Sequence, residues 1–542
     1  MNAAGTFLIA AGAHRTSASP SIKEMGAKAF HLARMAELGL PVPPAFVLGT
    51  RHCAPCVAAG GVTAELRGTL PALLAALEPR TGLRFGDPRR PLLVSVRSGA
   101  PVSMPGMMQT LLNIGLTERT LPGFEKTTGN PRLVHDAYRR LIAQFGEVVA
   151  SIPAEAFDAA RTGVAGAQDE RTLDFAQLRA LSQRYLDVYR EAAGARFPQD
   201  PSEQLTRAIA AVFRSWEAPH AHAYREANGI PHDLGTAVIV QAMVFGNAGG
   251  RSGAGVGFTR DPTTGAPGLW IDYLPNAQGE DVVSGRRVAH GAADLARTMP
   301  AVWQELVDDA ARLEAAFGDM QDIEFTVQDG HLHILQTRAG KRSPLAALRI
   351  ALDLADEGVI DAATARERAR KLAVDRIVTT RVAGGDGVTV APLGHGASAN
   401  AGVATGEIAL DEARARERAA AGAALVLVRR DAETADLAAL DLAHGLLTAR
   451  GARTSHAAVV ARQLGKACIV GCAGLAIDPA ARTVHIGERT LAEGDLVTLD
   501  GNTGAIYAGA VRTVDERPVE LLSRLAQLPG WSSAPISESA LD

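Results

Sequence analysis

Small and apolar residues at Ala29, Leu32, Ala33 and Ala36 recur at helical spacing, and Gly39 and Pro41 follow. This pattern predicts a helix over residues 29–38 with Lys28 at its start. Residues 91–99 alternate instead: Leu93, Ser95 and Arg97 share one face and Leu92, Val94 and Val96 the other, so a strand is predicted that delivers Arg97 at its exit. From about 125 to 227 the pattern is helical, and glycine-rich, strand-like segments return over 236–273, which reads as a helical insertion in an α/β unit. Over 320–338, Asp322 and Glu324 share a strand face opposite Ile323, Phe325 and Val327, and Asp329-Gly330 turns the chain into a second strand carrying Gln336. A two-residue turn would set Gln336 on the opposite face from Glu324 and a three-residue loop would set them side by side; the longer loop is predicted. Residues 345–372 are again helical, and Gly384, Gly387 and Pro392 mark a boundary. In the domain expected from about Ala391, residues 424–428, 445–449 and 466–470 read as short strands. Residues 455–464 read as a helix with a buried stripe of Ala457, Val460, Ala461 and Leu464, ended by Gly465. After Gly509 a tail of some thirty residues is expected.

A length of 542 residues exceeds one core and calls for three or four domains. With 47% hydrophobic and 21% charged residues the chain is neither disordered, collagen-like nor a coiled coil. The balance of 55 basic against 59 acidic residues, net −4, gives no broad footprint for nucleic acid or for an anionic membrane, so neither is expected as a partner. No apolar run reaches the roughly 20 residues that span a bilayer, and residues 6–11 lack a basic flank, so a cytoplasmic location is expected. Cys53 and Cys56 have the spacing of half a zinc site without a second half, and are read as packing thiols. Cys468 and Cys472 bracket Ile469 and Val470, a buried-strand pattern.

The phosphate-loop, protein-kinase and nucleophile-elbow signatures are absent. Lysine stands only at Lys23, Lys28, Lys126, Lys341, Lys371 and Lys466, which draws attention to Gly26-Ala27-Lys28; Ser95-Val96-Arg97-Ser98-Gly99 supplies a second phosphate-type cation. Each alone also fits a solvated lysine or a surface ion pair. Asp322 and Glu324 on one strand face favour a divalent cation, and fit a solvated acidic face as well. The sharpest signal is the segment from Gly451 to Arg462. Thr454 or Ser455 can cap the helix, which places His456 in the first turn. There the positive helix end disfavours imidazolium, keeps the ring nucleophilic, and offers N–H groups to an attached phosphoryl group. A structural histidine after a cap fits the same pattern.

Taken together these segments resemble the pyruvate, phosphate dikinase family, relatives of phosphoenolpyruvate synthase. The likeness is to a series in order: Gly26-Ala27-Lys28 with the run from Gly39 to Pro44, then 94–108, 241–247, 255–262, 276–285, 320–325, 335–341 and 454–462. The resemblance implies an α/β and α+β multidomain fold. An ATP-grasp nucleotide-binding domain would cover residues 1–340 with a helical insertion at about 125–227. A helical linker over 341–390, a small α/β swivelling phosphohistidine domain over 391–512 and a tail over 513–542 would follow. It implies that Lys28 and Arg97 hold ATP phosphates, that Asp322, Glu324 and Gln336 bind Mg²⁺ with Arg338 beside them, and that Gln241, Met243 and Val244 form the adenine-side hinge. Glu280 and Asp281 match a further acidic pair at the nucleotide site, and the glycine-rich stretch 246–257 would close over the phosphates. His456 would attack the β-phosphorus of ATP, and inorganic phosphate would take the γ-phosphoryl group. The linker would serve as the hinge that carries His456 onward.

Family members continue into a barrel that binds pyruvate, a fold of about 250 residues. Some thirty residues follow Gly509 here. The expectation is therefore an acceptor site on a separate protein, a chain that is a piece of a longer one, or an acceptor other than pyruvate. Gly451-Ala452-Arg453 stands where the family usually has Gly-Gly-Met, which puts a cation beside the histidine. The resemblance makes Thr454 a candidate for regulatory phosphorylation. A synthase-type enzyme that uses water instead of phosphate, and a nucleotide-sensing or phosphocarrier module without turnover, are the alternatives.

Overall fold

The computed structural model describes residues 4–10, 20–102, 104, 107–166, 168, 170–283, 290–383, 391–431, 436–453 and 455–531. Of His456, Ala457 and Gln463 it describes the backbone. Two compact units divide the chain: residues 1–250 with 333–337, and residues 251–332 with 338–542. The division falls inside the expected nucleotide-binding domain.

The first unit is built on a five-stranded sheet in the order Thr6–Ile9, Ala45–Leu48, Ala237–Ala242, Val94–Gly99, Thr110–Ile114, with every neighbouring pair antiparallel. Strand Ala237–Ala242 is buried along its whole length because its neighbours cover both edges and helices cover its face. The strand expected over 91–99 is broken at Leu93 into Pro91–Leu92 and Val94–Gly99. The Leu93 carbonyl instead takes the Met243 N–H at 2.9 Å. The helical insertion is present as predicted. Its helix Pro131–Ala150 starts at Asn130, whose side chain caps the Leu133 N–H, and Phe175–Ala193 starts at a reciprocal Asp174/Gln177 box and stops at left-handed Gly194. Phe145 and Tyr189 from these helices, with Phe213 of helix Pro201–Arg214, join Val94, Val96 and Val238 of the sheet in one core.

The second unit opens with strands Gln321–Gln328, Gly253–Arg260 and Pro267–Pro275, neighbours in that order in one antiparallel sheet. The stretch expected to lie glycine-rich over phosphates runs half into strand Gly253–Arg260, which is fully buried. A Cβ on Gly253, Gly255 or Gly257 would stand 2.1 Å from the Tyr273 hydroxyl, 2.3 Å from Phe325 Cζ or 2.5 Å from Ile271 Cγ2. Those glycines therefore make room for side chains of the same sheet and not for a ligand.

Helices Pro344–Asp356 and Ala362–Arg370 follow, capped by Ser343 and Asp361. Strand Thr379–Val382 then pairs antiparallel with Thr513–Glu516, so the chain enters and leaves the next domain side by side. That domain holds an eight-stranded sheet whose neighbours Val403–Ala409, Leu425–Arg429, Gly445–Thr448 and Ala467–Val470 run parallel. Leu425 and Leu427 pack on one face with Ala458 and Ala461, and Val426 and Val428 on the other with Leu447 and Ile469. Where a tail was expected, helix Val519–Gln527 packs Leu521 and Leu525 on Leu348 and Leu352, and Arg524 reaches Asp353 and Asp356 at 2.7 Å. An amphipathic stripe of only nine residues, seen without its partner helix, carried too little signal to be read as an element.

The four cysteines are free and buried, and burial pushes the Cys53 thiol up to about 11 and that of Cys468 to about 12, as inert packing residues should behave. Among the described residues no helix is long and apolar enough to cross a membrane.

Candidate active site

In the first unit, Gly26 starts the helix Ala27–Glu37 at φ +79°, and a Cβ there would stand 1.7 Å from the Gly99 carbonyl oxygen. Only glycine allows so close an approach. The Ala27 N–H donates to the Ala100 carbonyl at 3.1 Å, so the helix start is fastened to the exit of the strand that carries Arg97. Lys28, second in the helix, sits against that exit, since a Cβ on Gly99 would lie 3.7 Å from its own Cβ. The half-buried Arg97 donates from Nη2 to Gln336 Oε1 at 3.3 Å. One turn beyond Lys28, the His31 Nδ1–H donates to the Thr337 carbonyl at 2.8 Å, and burial pulls its pKa down. His31 escaped sequence reasoning; its signal was the helical spacing from Lys28.

The hinge segment is more restricted than expected. Gln241 is 2% exposed and its Nε2 donates to the Pro43 carbonyl at 3.1 Å, so its side chain is committed inside the core and cannot contact a nucleotide. The Met243 N–H is held by Leu93, and Met243 and Val244 are half-buried at the strand's exit.

In the second unit Asp322 and Glu324 alternate with buried Ile323 and Phe325, as predicted. The turn differs from the longer loop expected: Asp329 and Gly330, at φ +52° and +83°, form a two-residue turn of the type that matches strand twist. At the open end of the hairpin, Arg338 Nε donates to Asp322 Oδ2 at 2.8 Å and the Gly340 N–H to the Met320 carbonyl at 2.9 Å. Burial raises the Asp322 pKa, Arg338 opposes this and Glu324 adds to it. Two half-buried carboxylates crowded on one face form a hard-oxygen set of the kind Mg²⁺ relieves, so the residues fit that ion. Asp281 Oδ2 accepts the Gln278 N–H at 3.0 Å and so caps its own helix, Gly279–Val283, while Glu280 is exposed.

Cross-strand register decides what else shares the carboxylate face. Asp322 lies opposite Phe258 and Glu324 opposite Val256; Phe258 in turn lies opposite Trp270 and Val256 opposite Asp272. Directly opposed residues point to the same side, so Asp322, Glu324, Phe258, Trp270 and Asp272 line one face. Helix His456–Gln463 packs Ala458 and Ala461 on the sheet of its own domain and reaches that face through Arg462. Its Arg462 is 2% exposed, lies 5.4 Å from the ring centres of both Phe258 and Trp270, and donates to the Ala399 carbonyl at 2.7 Å. Ser455 is the cap, accepting the Ala458 N–H at 3.4 Å, and His456 is the first helical residue. The buried stripe runs through Ala458 and Ala461; Leu464, expected within it, is 41% exposed because the helix ends one residue earlier and Gly465 turns the chain away. Thr454 and the side chains of His456 and Ala457, the latter expected in the stripe, lie outside the described residues.

Residues 72–291 match the family model of the pyruvate phosphate dikinase AMP/ATP-binding domain, and residues 423–504 that of the mobile domain of PEP-utilising enzymes. Pyruvate, phosphate dikinase of Clostridium symbiosum is 43% identical over 496 residues, 90% of this chain and 56% of that protein. Pyruvate, phosphate dikinase 2 of Oryza sativa subsp. japonica is 39% identical over 524 residues, 96% of this chain and 59% of that protein. The Giardia intestinalis enzyme of the same name is 41% identical over 502 residues, 91% of this chain and 56% of that protein. The chain carries a pyruvate phosphate dikinase AMP/ATP-binding domain and a mobile domain of PEP-utilising enzymes. The chain spans a little over half the length of these relatives. Within the pyruvate, phosphate dikinase match, Arg97, Met243, Val244, Glu280 and Asp281 fall in the nucleotide-binding region and Thr454 and His456 in the mobile one.

One further group, outside these residues, invites a metal by distance: the ligand atoms of His222, Glu226 and His232 lie within 4.8 Å of one another. Its chemistry argues against a metal. Arg225 Nε donates to His232 Nδ1 at 3.0 Å, which leaves the ring proton on Nε2, and the two imidazoles are stacked at 4.1 Å. Parallel rings with one nitrogen engaged and the other protonated do not converge on an ion.

Proposed function

We propose that the chain is an ATP-dependent, dikinase-type phosphotransferase that forms phosphohistidine at His456. The observation that carries this reading is the reach of Arg462, on the His456 helix, to the sheet face that also holds Asp322 and Glu324.

Lys28, Arg97 and Arg338 would hold the triphosphate and offset the charge that gathers on its oxygens during transfer, while Met243 and Val244 border the adenine. Asp322, Glu324 and Gln336 are the residues that would hold Mg²⁺, which lowers the charge on the phosphate oxygens when bound. The neutral imidazole of His456 forms an N–P bond to the β-phosphorus, the bridging α–β P–O bond breaks, and AMP leaves with that oxygen. An oxygen of inorganic phosphate then attacks the γ-phosphorus, the β–γ bond breaks, pyrophosphate departs, and one phosphoryl group remains on the histidine. Backbone N–H groups at the capped helix start stabilise that dianion. The phosphoryl group passes to pyruvate or to another acceptor on a site outside these two domains, on a separate protein or a further part of the chain.

The linker helices are braced to the sheet: Arg260, 4% exposed, is bidentate to Glu314 and meets Glu357 at 2.6 Å. We therefore assign the swivel not to the linker helices but to the ribbon of Thr379–Val382 and Thr513–Glu516, where the chain crosses twice, a reading supported by that pairing. Phosphate as second acceptor is favoured over water by the names of the relatives.

The test is the intact mass of the protein after incubation with ATP, Mg²⁺ and phosphate. One acid-labile phosphoryl group is expected, with stoichiometric AMP, and neither in His456→Ala. An unchanged mass in the wild type contradicts the reading and leaves the carrier or sensor alternative.

A further inference from the structure

Arg453 grips three consecutive residues of the strand Pro267–Pro275. Its Nε donates to Asp272 Oδ1 at 3.2 Å, its Nη2 to the Ile271 carbonyl at 3.0 Å, and its guanidinium lies 4.2 Å from the centre of the Trp270 ring. Asp272 is 3% exposed, so this ion pair is largely shielded from water. The grip is itself held from behind, because Arg462 donates from Nη2 to the Arg453 carbonyl at 3.2 Å and stacks over the same Trp270. Trp270 thus carries two guanidinium groups, with Phe258 5.8 Å away as the second wall. Arg453 stands two residues before the cap Ser455 and three before His456, so whatever fixes Arg453 fixes the start of the helix that carries the histidine. A methionine at this position, the residue the family usually carries, would supply neither the fork nor the charge.

We propose that Arg453 is a positioning residue: by clamping Trp270, Ile271 and Asp272 it seats the start of the histidine helix, and with it His456, on the Asp322/Glu324 face for phosphoryl transfer from ATP. A flat, delocalised cation suits this task, since one side chain combines a shielded ion pair, a backbone hydrogen bond and an aromatic stack. The effect belongs to the transfer step and not to nucleotide affinity, because the contacts Arg453 makes, to Trp270, Ile271 and Asp272, include none of the residues assigned to ATP or Mg²⁺.

The test is the single-turnover rate at which β-labelled ATP labels the full chain, with ATP affinity measured separately by equilibrium dialysis. Arg453→Met is expected to slow labelling about tenfold with ATP affinity held within about twofold. Asp272→Asn should do the same, and the double variant should be no slower than the slower single one, since both act through one contact. Arg453→Lys, which keeps the charge without the fork, should recover part of the rate. Multiplicative slowing in the double variant, or a loss of ATP affinity that accounts for the slower labelling, overturns the positioning role. The proposal rests on the dikinase reading, and the two fail differently. A wild type that takes no label overturns that reading and the positioning role together; a labelled wild type matched by an equally fast Arg453→Met protein overturns the positioning role alone.

Discussion

Gly26 shows how one residue can set a cation in place. At φ +79° with a carbonyl where a Cβ would be, it lets the Lys28 helix close onto the strand that presents Arg97. Gly26→Ala is therefore expected to displace Lys28 and cut labelling by about as much as Lys28→Ala, roughly a hundredfold, the scale for losing one charge-stabilising group; β-label incorporation checks both. His31 makes a pH prediction. Burial holds its folded pKa below the ordinary histidine value, so the folded state binds the proton less readily than the unfolded one. Stability from this group is full above that ordinary value and is lost as pH falls through it toward the folded pKa. His31→Gln, which titrates in neither state, should show a smaller drop in melting temperature between about pH 7 and 5 than the wild type. An equal drop would contradict the assignment.

Among the elements, the brace around Arg260 is the most consequential. Its guanidinium serves Glu314, Glu357 and, at 3.7 Å, Asp353, and these acids tie helix Pro344–Asp356 to the sheet. Arg260→Met removes the cation that Glu314 and Glu357 share, Asp353 keeping Arg524, and should destabilise the second unit by about 3 kcal/mol, the scale for breaking a buried pair on one side, read by denaturant unfolding. The alternation of Asp322 and Glu324, the insertion helices and the capped start at His456 were legible in the sequence because their signals are local: a period of two, a period of 3.6, and a serine before a helical run. The break at Leu93, the buried glycines of Gly253–Arg260 and the exposure of Leu464 were not. Each is decided by a residue distant in sequence or by a helix end: Met243 draws off the Leu93 carbonyl, Tyr273 and Phe325 occupy the space over the glycines, and the helix ends before Leu464. The candidate site divided the same way, since Lys28, Arg97 and the carboxylates carried motif signals, whereas Trp270 and Asp272 joined them only through strand register.

Across the whole molecule, the chain crosses twice at the Thr379–Val382 and Thr513–Glu516 ribbon, so helix Val519–Gln527 belongs with the linker helices that precede the mobile domain. Removing residues 519–531 would uncover Leu348 and Leu352, each contributing about 1.5–3 kcal/mol of burial, and should lower the thermal transition of the linker helices while leaving that of the mobile domain unchanged. At this scale everything turns on His456 taking phosphorus from the β position of ATP. The decisive measurement is incubation of the protein with ATP labelled at either the β or the γ phosphorus, with Mg²⁺ and phosphate present. Acid-labile β-label on the wild-type protein, γ-label in pyrophosphate, and no label on His456→Ala are expected. Retention of γ-label on the protein after phosphate is added, or β-label that survives His456→Ala, would be incompatible with transfer through this histidine.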